Sequence, residues 1–541
     1  MIFKANLVDI SNSEIYPARI ETSGKKIISI TKIDEKLSGY ILPGFIDSHI
    51  HIESSMLIPT QFASLALLHG TVACVSDPHE IANVMGIEGI EFMLENANNS
   101  PFKFYFGASP CVPATPFETS GATLGIAEIK KLLKKDEIKY LSEVMNFPAV
   151  IQNEHEIMAK IQLSIDANKP IDGHAPALRG DNLNTYIDAG ISTDHEAFSY
   201  EEAKEKLDKG MKILIREGSA AKNFDTLEPL IDKYYKNMMF CSDDKHPDDL
   251  KNGHINTLVI RAIKNGNNLF KVLQMACINP VQHYKLDVGC LHVNDYADFI
   301  EVKDLKNFEL VRSVINGKII MENSKVKLKK TVVKTINNFH TTPKTAKDFE
   351  FTQKCDSLNI IGAIENELVT DKLLMHYYSK NGFFIPKPKD DILKIAVVNR
   401  YKNRKPFVSF IHGFGLKNGA IASSIAHDSH NIISVGCSDE EIAKAVNLII
   451  QNRGGISAVN KTEKLVLKLD IAGLMSQESA DKVADSYTRI NTFTKTELNS
   501  TLKAPFMTLS FMALLVIPSL KISDKGLFDS SAFHFIKTCS S

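Results

Sequence analysis

The sequence predicts an α/β protein: a (β/α)8 barrel, a small β domain built from both flanks of that barrel, and a C-terminal α/β domain. Three observations lead there. Short apolar runs recur between residues 40 and 241, and each ends in polar side chains. Stretches with apolar residues three to four apart separate them, as amphipathic helices require. Eight such strand-then-helix units over about 200 residues is the spacing of a (β/α)8 barrel. A doubly wound open sheet is the alternative, but no Gly-rich phosphate loop follows any of the runs.

In chain order, residues 1–39 read as short strands at Ala5–Ile10, Glu14–Ile20 and Lys26–Ile30, broken by turns at Ser11-Asn12-Ser13 and Ser23-Gly24. Residues 40–282 carry the barrel runs Tyr40–Ile46, Thr71–Val75, Phe102–Phe106, Ile138–Leu141, Pro170–Ile171, Ile191–Ser192, Met211–Ile215 and Met238–Cys241. The fifth and sixth are weakly apolar and are included for their spacing. Ile81–Asn96 and Glu154–Asp166 read as connecting helices. Residues 283–335 return to short strands and are expected to complete the first β layer. Lys325–Glu350 reads as a basic, solvated connector, with a phosphate-binding patch as the alternative. Residues 350–541 read as a separate α/β unit, with strands at Ile395–Val398 and Ile432–Val435 and a helix over Asp439–Gly454 capped by Ser438.

A barrel sets its chemistry at the C-terminal ends of its strands. Those ends carry His49 and His51, then Asp77, His79 and Glu80, then Ser109, Glu143, His174, His195, the group Arg216, Glu217 and Ser219, and finally Asp243 and Asp244. His49 and His51 are two apart, so in extended chain both imidazoles face one side. Neutral imidazole is the commonest protein ligand for a divalent transition metal. One such residue is ordinary, whereas ligand-type side chains at nearly every strand end point to a metal site. In the last unit, His427-Asp428-Ser429-His430-Asn431 reads as a turn at a domain contact, with a second metal site as the alternative. From it the C-terminal unit is expected to close over or buttress the barrel mouth.

Composition removes several classes. Net charge is −1, which gives no electrostatic basis for binding nucleic acid or an anionic membrane. Eight cysteines form no C-x-x-C pair, against a structural zinc site and a disulfide framework. The first residues do not form a signal peptide. Ala504–Leu520 is apolar but holds two prolines and falls short of a membrane span. A cytoplasmic protein is expected. His51-Ile52-Glu53 imitates the H-x-E of the zinc-dependent cytidine deaminase fold, but Pro110-Cys111 is followed by Ala114 where a second cysteine is required.

Pro43-Gly44-Phe45-Ile46-Asp47-Ser48-His49-Ile50-His51 resembles the first-strand signature of the amidohydrolase superfamily. Asp77-Pro78-His79-Glu80-Ile81-Ala82-Asn83-Val84, Asp172-Gly173-His174-Ala175-Pro176, Ser242-Asp243-Asp244-Lys245-His246-Pro247, Ile425–Asn431 and Gly473-Leu474-Met475-Ser476 are similar to motifs of its bacterial adenine deaminase family. The likeness runs from about residue 38 to the C-terminus. It implies hydrolytic deamination of adenine to hypoxanthine and ammonia in purine salvage. The other reading is a dinuclear amidohydrolase acting on a cyclic amide or a different aminated heterocycle, and a non-catalytic barrel scaffold stands as a third.

The resemblance further implies two ions per chain, of manganese, with ferrous iron or zinc as alternatives. His49, His51 and Asp243 would bind one, His174 and His195 the other. Glu143 would bridge them where many relatives use a carboxylated lysine; Lys139 lies on the same strand. Asp243 would move the proton of the attacking water. Asp77, His79, Glu80 and Glu217 are candidates to protonate the purine ring. Glu217, Ser219, Arg216 and Asp244 are expected to contact the substrate, adenine. A homodimer is expected, with no nucleic-acid or membrane partner.

Overall fold

The computed structural model describes residues 1–329, 333–353, 357–365, 367–376 and 384–540. At its centre eight parallel strands form a closed ring: Phe45–Ile50, Thr71–Ser76, Lys103–Ala108, Ile138–Val144, Ile171–Gly173, Thr193–Asp194, Lys212–Arg216 and Met238–Cys241. The first five pair in sequence, as do the last three. The Ser192 amide donates to the Ile171 carbonyl at 2.9 Å and joins the two arcs. The Asp243 amide donates to His49 O at 3.0 Å and the His51 amide to Asp243 O at 3.4 Å, so the last strand end closes on the first. Every residue of Thr71–Ser76 and Met238–Cys241 is buried, as a parallel sheet covered by helices requires.

The fifth and sixth strands are short and polar because side chains replace part of their ladder. Both carboxylate oxygens of Asp194 accept backbone N–H bonds at 2.9 Å, from Ala175 and Ala197. Lys206 donates to the same carboxylate at 3.0 Å and to Glu202 at 2.7 Å, and all three side chains are buried. This buried triad ties together the two loops that carry His174 and His195. Gly173 is required between them, since a Cβ there would lie 2.4 Å from the Thr193 carbonyl.

Two local expectations change. Tyr40–Ile46 is not one strand. Tyr40–Pro43 pairs with Ile2–Asp9 and Phe299–Val302 in the small β layer, and the barrel strand starts at Phe45. Gly44 makes the crossing, because a Cβ there would meet Val72 at 2.4 Å. Ile81–Asn96 is two helices, His79–Met85 and Ile87–Ala97, broken at Gly86, whose φ of 62° lies in the left-handed region.

The small β layer is an eight-stranded sheet whose strands come from residues 2–43 and 299–326. Residues 330–332 of the basic connector lie outside the described residues. The C-terminal unit holds a nine-stranded sheet, with Leu393–Val398 between Phe407–His412 and Ile432–Gly436, and the helix Asp439–Asn452 capped by Ser438. It sits against the barrel: the Ser476 amide donates to Met56 O at 2.8 Å, and Thr119 donates to Asp524 at 2.7 Å. No helix among the described residues is long and apolar enough to cross a membrane. Among the described residues Cys74, Cys111, Cys241, Cys277, Cys290 and Cys437 are free.

Candidate active site

At the C-terminal mouth of the barrel, six buried or nearly buried side chains converge. His49 Nε2 and His51 Nε2 lie 3.2 Å apart. Asp243 Oδ1 is 3.2 Å from His51 Nε2 and 3.8 Å from His49 Nε2. Glu143 stands at the centre: Oε1 is 3.3 Å from His51 Nε2, and Oε2 is 2.7 Å from His174 Nδ1 and 3.4 Å from His195 Nε2. His195 stacks on His49 with centroids 4.1 Å apart. Lys139 faces the other way, half-exposed toward Asp287, so the carboxylate between the imidazoles is Glu143.

The donors suit a divalent transition metal. His49, His195 and Asp243 form one group whose ligand atoms lie within 4.8 Å of one another, and Glu143, His174 and His195 form a second. Burial, then His195 and His51, lower the His49 imidazole to about 3, which leaves it a neutral ligand with a free lone pair. Burial works to raise Glu143, yet His174, His195 and His51 hold it well below the usual carboxylate range. Among the described residues, His49 Nδ1 is buried without a hydrogen-bond partner. A mixed set of imidazole and carboxylate fits manganese, iron or zinc better than calcium or magnesium.

Around these six stands a second ring. His79 Nδ1 lies 3.2 Å from Asp77 Oδ2 and 3.3 Å from Glu143 Oε1. Asp77 is held by Ser109 at 2.6 Å. Arg216 donates to Asp243 Oδ2 at 2.6 Å and pairs through both terminal nitrogens with Glu196. Ser54 Oγ lies 2.5 Å from Asp244 Oδ1 and 3.0 Å from Glu80 Oε1, between the two carboxylates. From the C-terminal unit come His427, 3.3 Å from Glu80, and Asp428, 3.6 Å from His79. Burial acts to lower His427, but Glu80 and Asp244 raise it to about 9. Burial and the Glu80 charge push Glu53 up to about 8.

His51, His79, Glu143, His174, His195, Arg216, Asp243 and Asp244 line one narrow cavity. Asp77 and Glu80 stand behind it. Glu217 and Ser219 are not brought there. The Glu217 carboxylate reaches Arg261 at 3.4 Å, and Ser219 donates to Asp249 at 2.5 Å in a separate outer cleft. Sequence reasoning passed over Glu196, which also lines the cavity although it follows His195 directly. It also missed Leu368, Phe511 and Leu514, which form the cavity's far wall. Nothing in the local sequence of these three marks them.

A closed barrel with imidazoles and carboxylates gathered at its C-terminal strand ends is the plan of a metal-dependent hydrolase of the amidohydrolase class. The amidohydrolase family model matches residues 40–320, and the adenine deaminase C-terminal domain matches residues 367–534. The chain is 58% identical over 539 residues to the adenine deaminase of Sulfurovum sp. (strain NBC37-1), covering 100% of both chains. It is 51% identical over 540 residues to that of Borreliella burgdorferi, covering 98% of each. Among solved structures, a β-aspartyl dipeptidase of Fervidobacterium islandicum AW-1 is similar at 16% identity and a TM-score of 0.47, over 60% of this chain and 99% of that one. The chain belongs to the adenine deaminase family of the amidohydrolases.

Proposed function

We propose that the barrel mouth catalyses hydrolytic deamination of adenine: water adds at C6 of the purine, the amino group leaves as ammonia, and hypoxanthine remains. The observation that carries this reading is the convergence of four imidazoles with Glu143 and Asp243 at the barrel mouth, in a chain matched along its whole length by adenine deaminases. His49, His51 and Asp243 would hold one divalent ion, His174 and His195 a second, with Glu143 between them. Manganese is the proposed metal. Such ions supply Lewis acidity, which makes a water molecule acidic enough to lose a proton near neutral pH.

The chain's own groups then manage protons. Burial favours a neutral Asp243, but Arg216 and the nearby imidazoles keep it an anion, ready to accept the proton of the attacking water and pass it to the leaving amino group. Ring N1 gains a proton as C6 becomes tetrahedral. Of the candidates, His79 lines the cavity, and Asp77 behind it fixes the ring and favours its protonated form. Glu80 acts through Ser54 and His427, and Glu217 is set aside because its carboxylate turns toward Arg261. Asp244 and Glu196 remain as polar contacts for the purine edge. A homodimer in the cytoplasm completes the reading, and gel filtration tests the dimer.

The test is a spectrophotometric assay of metal-free protein reconstituted separately with Mn²⁺, Fe²⁺ or Zn²⁺ and offered adenine, adenosine and cytosine. Metal-dependent conversion of adenine alone is expected. Protein that binds metal yet turns over none of the three would redirect the reading to cyclic amides.

A further inference from the structure

The cavity floor is the barrel's array of imidazoles and carboxylates. The C-terminal unit lends His427 and Asp428 to the lining and also an apolar roof, Leu368, Phe511 and Leu514. The Phe511 ring lies nearly flat on His427, with centroids 4.9 Å apart and 20° between planes. The roof belongs to a small apolar cluster with Met507 and Ile517, and Ala220 of the loop after the seventh barrel strand packs against that cluster.

Behind the roof is a charged residue that the chemistry does not use. Lys521 is 0% exposed. Its Nζ donates to Leu368 O at 2.6 Å and to Phe511 O at 3.0 Å. No carboxylate among the described residues pairs with it, and burial lowers its pKa to about 7. Burying an amino group away from any counter-charge is costly. A methionine would fill the same space without that cost. The two carbonyls that Lys521 holds belong to two of the three roof residues, so the costly group sits where it fixes the height of the roof above the metal-binding floor.

We propose that Lys521 is a positioning residue for this roof, and that the roof confines the site to free purine bases. The argument rests on the deaminase reading above. C6 must face the floor to react, and N9 lies on the opposite side of the bicyclic ring. A substituent on N9 is therefore carried into Leu368, Phe511 and Leu514, which occupy the space it would need. An unsubstituted purine carries only a hydrogen on N9 and projects nothing into them.

The experiment uses the manganese-loaded full-length protein and measures kcat and KM for adenine and for 9-methyladenine, with bound metal quantified. Lys521→Met is expected to raise KM for adenine about 10-fold, leave kcat within about 3-fold, and cut the preference for adenine over 9-methyladenine by about 10-fold, a tenfold change being about 1.4 kcal/mol. Leu514→Ala opens the roof directly and is expected to narrow the same preference. A Lys521→Met protein with wild-type metal content, KM and preference would overturn the role of Lys521. An unchanged preference in Leu514→Ala would overturn the roof as the selective element, and decides the matter if Lys521→Met does not fold. Wild-type protein inactive on adenine would instead strike the deaminase reading itself.

Discussion

Asp428 Oδ1 lies 3.6 Å from His79 Nε2, so a carboxylate of the C-terminal unit faces an imidazole of the barrel across the cavity. The other nitrogen of that ring faces Asp77 and Glu143. His79 is thus held between carboxylates from both units, which, against its burial, keep it protonated well above the usual histidine range. Asp428→Asn is expected to lower kcat about 10-fold to 100-fold, in line with the loss of a partner that orients a site imidazole. Steady-state kinetics with unchanged circular dichroism checks this. Wild-type kcat in that variant would mean the C-terminal unit only covers the barrel.

His79→Asn should cost more, about 10²-fold to 10⁴-fold in kcat, if His79 delivers the ring proton. The bound metal should stay at the wild-type level, because His79 lies outside the proposed ligands. Equal losses of activity and metal would reassign His79 to the metal-binding set.

Glu143 touches three imidazoles, at 2.7, 3.3 and 3.4 Å. Glu143→Gln keeps the shape and removes the charge between them. That variant should retain less metal after dialysis and lose nearly all activity. Metal analysis by mass spectrometry checks it, and full metal content would contradict a bridging role.

Lys206 neutralises Asp194 and Glu202 inside the barrel wall. Lys206→Met leaves two buried carboxylates uncompensated, which should destabilise the barrel by about 3–5 kcal/mol. Thermal unfolding reads this directly. Because Asp194 also holds the backbone beside His174 and His195, activity should fall even below the melting temperature.

The pH dependence of stability offers a further check through Lys521. Its folded pKa of about 7 lies below the unfolded value of about 10.4. Between those values the unfolded chain holds a proton that the folded chain does not. Stability therefore rises with pH across that window, by at most about 1.4 kcal/mol per unit, and this group adds no slope below it. Denaturant midpoints measured from pH 7 to 10 should rise more steeply for wild type than for Lys521→Met, and equal slopes would contradict the assignment.

Much of the barrel was legible because six of its eight strands repeat one pattern, an apolar run ending in polar residues, and the spacing of those six marks the place of the other two. His49, His51, Glu143, His174, His195 and Asp243 all lie at strand ends and do converge. Where the pattern misled, local backbone took over. Glu217 follows the seventh strand in sequence, but it bridges back to Lys222 and its side chain leaves toward Arg261. Tyr40–Pro43 is as apolar as a barrel strand and belongs to another sheet, a choice made by pairing partners rather than by composition. Leu368, His427, Phe511 and Lys521 come together only through packing between units far apart in the chain, and no spacing rule announces that.

The central claim is that metal held by these six residues and turnover of adenine are one site. The most direct measurement titrates metal-free protein with Mn²⁺ while following hypoxanthine formation and bound metal together. The expected result is no activity without metal and a plateau at two ions per chain. Full activity in the metal-free protein, or a plateau reached with His51→Asn as readily as with wild type, would contradict it.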